Sequence, residues 1–150
     1  MKDAFAVAPA SSADQALVLR LLADQFRALG NPLPEARLAG AVAGVLEDGS
    51  RGTLLLARLG GRPIGVAYLS YQWTLEHGGK IAWLEELFVE PESRAQGLGG
   101  RLLKVACDHA HAAGCAAIDL ELEAAHPRAA SLYARAGFRA LQRKRWVKTL

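Results

Sequence analysis

The sequence has little cysteine: Cys107 and Cys115 are the only two among 150 residues. Two thiols eight positions apart, spanning the end of one expected helix, make neither a disulfide framework nor a zinc site. They read as small buried hydrophobes, and a reducing cytoplasm is the expected compartment. No apolar run approaches the ~20 residues of a membrane-spanning helix, so no membrane partner is expected. The opening MKDAFAVAPASSAD turns polar too soon for a secretory signal. Neither sign of charge dominates, since 18 Lys and Arg face 15 Asp and Glu. Aromatics make up only 7% of the chain. Without an aromatic-basic stripe or a helix-turn-helix pattern, nucleic acid is not an expected partner. There are no repeats, low-complexity segments or internal linkers.

What is present fits one domain spanning residues 1–150, with 51% hydrophobic and 22% charged residues. Ala4 to Ala8 reads as an edge strand ending at Pro9. Leu17, Leu21, Leu22, Gln25, Phe26 and Leu29 recur at helical spacing, so Ala13 to Ala28 reads as a helix, stopped by Gly30-Asn31-Pro32. Pro34 opens a second helix that ends near Gly49. Thr53–Leu59 and Ile64–Tyr71 make a hairpin around Gly60-Gly61. A loop from Trp73 to Gly79 leads to a third strand, Lys80–Val89. A helix from Gly97 to Ala113 ends at Gly114, and Ala116–Leu122 reads as a buried strand reached by a parallel crossover. Pro127 starts a last helix, Arg128 to Ala136. Phe138–Gln142 and Arg145–Leu150 read as two closing strands. The order is α+β, with a mixed, mostly antiparallel sheet and about four helices.

The informative stretch is Glu85 to Leu103, EELFVEPESRAQGLGGRLL. An apolar strand ends at Val89, Pro91 forbids its continuation, and a Gly-rich turn runs into a helix. The first N–H groups of a helix lack intrahelical partners and the helix dipole adds positive potential, so such a turn suits an anion. Glycine lets a phosphate approach the backbone closely. The spacing is R-x-x-G-x-G, through Arg94, Gly97 and Gly99. It is neither the dinucleotide fingerprint nor a P-loop.

With Leu87, Val89 and Pro91 as the preceding L-x-V-x-P, this stretch resembles the acetyl-CoA pyrophosphate loop of the GCN5-related N-acetyltransferase superfamily. A second segment, HPRAASLYARAGF, is similar to that family's N-x-x-A-x-x-L-Y-x-x-x-G-F, matching at Ala129, Leu132, Tyr133, Gly137 and Phe138. The resemblance covers nearly the whole chain and implies a sheet of about six to seven strands with a splayed central parallel pair. In the gap would lie the acyl-thioester arm, bonded by the backbone of Leu87, Phe88 and Val89. The N–H groups of Gln96, Gly97, Leu98, Gly99 and Gly100 would hold the phosphates. Arg94 and Ala95 belong to the same loop, with Arg94 either beside the phosphates or bracing the turn. His126 stands where the family has Asn, which bonds the pantetheine arm; histidine can donate or accept a hydrogen bond there. Tyr133 would protonate the leaving thiolate.

The string WLEELFVEP is similar to that of the spermidine/spermine and thialysine N-acetyltransferase branch, where the first acid of the pair serves amine deprotonation. Carried over, that is Glu85. Adjacent strand residues face opposite ways, so Glu86 competes for the same role unless a bulge intervenes. The resemblance implies an acetyl-CoA-dependent N-acetyltransferase acting directly on a small cationic amine, without metal. A protein Lys or N-terminus is the alternative acceptor, and a non-catalytic acyl-CoA sensor the alternative function. Pairing through the last strands implies a homodimer.

Overall fold

Three successive apolar stretches build the centre of the sheet. The computed structural model describes residues 3–123 and 127–150. Five strands form one sheet in chain order: β1 (Phe5–Pro9), β2 (Gly52–Leu59), β3 (Arg62–Thr74), β4 (Gly79–Val89) and β5 (Ile118–Asp119). All neighbours are antiparallel except β4 and β5, which are parallel. Gly60 and Gly61, at φ +57° and +82°, close the β2–β3 hairpin with the left-handed pair that a tight two-residue turn requires.

Helices cover both faces. On one, α1 (Gln15–Ala28) and α2 (Glu35–Glu47) bury Val18, Leu21, Leu22, Leu38 and Val42 against Leu54, Leu56, Val66 and Phe88. Asp14 anchors the entry to α1: its carboxylate accepts from the Ser11 N–H at 3.0 Å and pairs with Arg58 at 2.8 Å. On the other face lie α3 (Leu98–Ala112) and α4 (Pro127–Arg135). The α3 stripe of Leu98, Leu102, Leu103, Ala106 and Ala110 packs on Leu55, Ala67, Leu69 and Leu84. Each large side chain buried this way contributes about 1.5–3 kcal/mol.

The sheet departs from expectation at its far edge. The strand expected over Ala116–Leu122 shrinks to Ile118–Asp119. The closing strands Phe138–Gln142 and Arg145–Leu150 do not form, so the sheet has five strands where six to seven were expected. Two paired residues in β5 offer too short a ladder to template further strands. The tail instead turns its arginines to nearby acids: Arg143 pairs with Glu76 at 2.6 Å and Arg145 with Glu121 at 2.8 Å. Trp146 and Val147 are left exposed. The strand pairing on which the homodimer expectation rested is therefore not formed. At the β3–β4 turn the loop is shorter than expected, because β3 runs on through Thr74.

Gly65 pairs with Val89 at the end of β4, and the strands approach closely there. A Cβ on Gly65 would lie 2.7 Å from the Phe88 carbonyl oxygen and 3.3 Å from Val89 Cγ2. Gly65→Ala should lower stability by roughly 1–3 kcal/mol through overpacking. Urea denaturation should show a lower midpoint at unchanged slope. An unchanged midpoint would mean that the strands part freely at this point.

Candidate active site

The turn after β4 is held from several sides. The Glu90 N–H donates to the Ile64 carbonyl at 2.8 Å, and a single 3-10 turn, Pro91–Ser93, follows. The Glu90 carboxylate is buried, bonded by Arg62 and lying 3.6 Å from Arg20 of α1. Arg62 also donates to the buried Ser93 hydroxyl at 3.2 Å. Arg94 Nε donates to the Val89 carbonyl at 2.8 Å, with its guanidinium 5.6 Å from the centre of the Phe88 ring. Beyond this point the chain adopts two left-handed residues, Ala95 at φ +65° and Gly97 at φ +72°. The alanine conformation is unfavourable by roughly 1–2 kcal/mol.

The helix α3 starts directly from Gly97 without a side-chain cap. Its first intrahelical bond runs from the Arg101 N–H to the Gly97 carbonyl at 3.2 Å. The N–H groups of Leu98, Gly99 and Gly100 therefore point out of the helix start unspent. Gly97 is required by its φ, but Gly99 is not: its φ is ordinary and a Cβ there would meet nothing within 4 Å. Nothing in the folding of this chain demands glycine at 99. An anion that had to reach the backbone would. From the same place an open groove of about 510 Å³ runs between α3 and α4, lined in part by Gly97, Gly100, Lys104, Leu132 and Arg135.

Beside this loop the sheet opens. β4 and β5 pair only at Ala82–Ile118 and Trp83–Asp119. From Leu84 to Val89, β4 keeps its β3 partner on one side, and among the described residues no strand lies on the other. The free edge can accept an extended polar chain such as one carrying amide groups.

At the same level β4 carries one extra residue. Glu86 pairs with Tyr68 and Leu84 with Leu69, which leaves Glu85 as a bulge. Leu84 and Leu87 consequently both pack toward α3 and α4, although three positions apart. Glu86, opposite Tyr68, is turned toward α1, where the Gln25 amide favours its ionised form. Burial, and then the charge of exposed Glu85, nonetheless push the Glu86 carboxyl up to about 7. Tyr133 comes from α4 on the opposite face, its ring edge-on to Phe138 at 5.7 Å. Burial, and then the charge of Glu86, raise the Tyr133 phenol above its ordinary value. The site thus offers a phenol that holds its proton and a carboxyl that titrates near neutrality.

Residues 16–138 match the Acetyltransferase (GNAT) family. The chain belongs to that family. It is 30% identical over 129 residues to YhfO of Bacillus subtilis strain 168, described as an uncharacterized N-acetyltransferase, with 86% of each chain covered. An integron cassette protein from the mobile metagenome of Cole Harbour Salt Marsh superposes with a TM-score of 0.86 at 25% identity, covering 96% of this chain and 90% of that one. The aminoglycoside N-acetyltransferase AAC(6')-Iy in complex with CoA superposes with a TM-score of 0.85. Its identity is 15%, over 98% of this chain and 95% of that one, a likeness of fold alone. The chain is an enzyme of the N-acetyltransferase class with the α+β GNAT fold.

The expected site residues fall into three groups. Leu87, Phe88 and Val89 lie on the free edge, and Gln96 to Gly100 lie at the helix start that this edge runs into. Glu85 and Glu86 stand where β4 bulges, with Glu85 exposed and Glu86 partly buried, while Tyr133 packs from α4 on the other face. Arg94 braces the turn through Val89. His126 lies outside the described residues. Gln25, Glu90, Arg62 and Ser93 escaped attention as site residues. Gln25 carried a signal, being polar within the apolar stripe of α1. Glu90 carried none, because its partners come from residues 28 and 70 positions away.

The Glu86 shift predicts a pH-dependent stability. The folded-state value is raised from 4.5 to about 7, so the folded state binds more protons between these values. Stability should therefore fall as pH rises from 4.5 through 7, and level off above. In Glu86→Gln this component should vanish, making the variant the more stable protein at pH 8 but not at pH 4. Parallel thermal melts across this range check it; identical pH profiles would show that Glu86 is not perturbed.

Proposed function

We propose that this protein transfers the acetyl group of acetyl-CoA directly to a primary amine of a small cationic acceptor. The observation that carries the reading is the unpaired edge of β4, which runs from the bulge at Glu85 to the uncapped start of α3. Gln96 to Gly100 would take the pyrophosphate on backbone N–H groups, and Leu87 to Val89 would bond the pantetheine amides. The groove past Lys104 and Arg135 offers cationic side chains to the remaining phosphate of the cofactor.

The acid–base demands match the groups present. An alkylamine of pKa near 10.4 is cationic at neutral pH, and about 4–5 kcal/mol separates it from its nucleophilic form. Glu85 and Glu86 attract the cation. Glu86, titrating at about 7, is the better matched base, and it takes the ammonium proton directly or through water. The amine lone pair then adds to the thioester carbonyl carbon, whose oxygen is met by a backbone N–H of Leu87 or Phe88. As the carbon–sulfur bond breaks, Tyr133 gives its proton to the thiolate; the acylated nitrogen sheds its second proton, which returns through water to the phenolate, and Glu86 releases the first to solvent. The transfer is direct, with no acyl-enzyme on Cys107, which lines the groove between α3 and α4, or on Cys115. A small acceptor is favoured because Glu86, the better matched base, is partly buried on the α1 side of the sheet, although a protein Lys or N-terminus meets the same chemistry.

Release of coenzyme A thiol should be measured against polyamines, amino acids, aminoglycosides and short peptides. Turnover on one small-amine class is expected, with kcat reduced at least about 10²-fold by Tyr133→Phe at little change in KM. Turnover on peptides alone would replace the acceptor class. Acetyl-CoA binding without turnover on any amine would favour a sensor. A second expectation concerns Gly99→Ala. A helix gains about 0.5–1 kcal/mol from this change, so the melting temperature should hold or rise. Acetyl-CoA affinity should nonetheless fall about tenfold or more, because the methyl group occupies the approach to the N–H groups. Unchanged affinity would remove the phosphates from this loop.

A further inference from the structure

The left-handed residues Ala95 and Gly97 set the direction of the N–H groups that follow, yet neither is packed into the core. Ala95 is exposed, and no neighbour stands within 4 Å of the Cβ position of Gly97. Gly97 is held from the α3 side, where its carbonyl accepts from the Arg101 N–H, and the other side of the turn is ordered by the residues preceding it. Four of them are tied down. Val89 gives its carbonyl to Arg94, Glu90 is held by Arg62 and lies near Arg20, and Ser93 is bonded by Arg62. Arg62 begins β3 and Arg20 belongs to α1, so the turn is anchored to two separate elements of the scaffold.

Glu90 is the centre of this arrangement. It is only 7% exposed and Ser93 2%, whereas Arg62 and Arg20 keep about half of their side chains in solvent. A buried carboxylate is tolerated where it is paired, and removing its charge would leave the two guanidinium groups nothing to converge on. Arg62 would then be free to leave Ser93 as well. The strained conformation of Ala95 depends on the surrounding structure holding it in place.

We propose that Glu90 is a positioning residue for the acetyl-CoA phosphates: through Arg62 and Ser93 it fixes the turn that aims the N–H groups of Gln96 to Gly100. Glu90 touches neither phosphate nor acceptor. The inference rests on the reading of this loop as the phosphate site. Its effect belongs to cofactor affinity and not to the acetyl transfer itself. The link to α1 gives the loop a mechanical tie to the helix that carries Gln25.

The test is direct binding of coenzyme A by calorimetry, together with the amide resonances of Ala95 and Gly97 in the unliganded protein. In Glu90→Gln the dissociation constant should rise about tenfold, while kcat at saturating acetyl-CoA stays within about twofold of wild type. The two amide resonances should broaden or shift. Ser93→Ala should weaken binding about threefold, and the double variant by less than the product, because both act through Arg62. Should Glu90→Gln fail to fold, Ser93→Ala and Arg62→Gln carry the test. Equal coenzyme A affinity and unchanged amide resonances in these variants would overturn the proposal while leaving the phosphate site intact. Failure of the wild-type protein to bind coenzyme A would instead remove the site, and the proposal with it.

Discussion

One extra residue in β4 governs how the two faces of the sheet meet the site. An uninterrupted strand alternates its side chains, so Leu84 and Leu87 would face opposite ways. The bulge at Glu85 restores both leucines to the core beneath α3 and α4. It thereby turns Glu86 to the α1 side and leaves Glu85 in solvent. Beyond the bulge β4 continues alone, because β5 pairs with it over only two residues.

Two acids four residues apart on this segment sit among different partners. Glu86 is partly buried beside another carboxylate and receives only an amide from Gln25, so its proton is held to about 7. Glu90 is more deeply buried, but it has a guanidinium bonded to it and a second at 3.6 Å. The first can exchange a proton at neutral pH, which suits acid–base work. The second is tied into the brace of the turn by Arg62, with Arg20 close by.

How much of this was legible in the sequence depended on the range of the interaction. The β2–β3 hairpin, the helix starts and the phosphate-loop motif are local, and Gly60-Gly61, Pro34 and R-x-x-G-x-G state them within a few residues. The bulge was legible only as a possibility, since two adjacent acids at a strand end carry no signal for an inserted residue. The closing strands were misread because Phe138–Gln142 and Arg145–Leu150 have acceptable strand composition but lack a neighbour long enough to pair with. Arg143 and Arg145 took acids elsewhere in the fold. The Glu90 cluster was invisible because it joins α1, the start of β3 and the end of β4.

The features that folding does not account for lie close together. Gly99 lacks a side chain although neither its φ nor its surroundings require that. The backbone of Leu84–Val89 lies along an edge left unpaired by the described strands. Gln25 Oε1, beside Glu86, is a buried polar atom without a partner among the described residues. Each carries a cost that a self-contained domain would avoid: lost helix propensity, unspent backbone hydrogen bonds and an unmatched acceptor. Packing offers no compensation for any of them. The three lie along β4, from the acid pair to the start of α3. A ligand with an anion at one end, amide groups along its length and a reactive carbon near Glu86 would meet the first two, and proton exchange at Glu86 bears on the third. Acetyl-CoA is a molecule of that description.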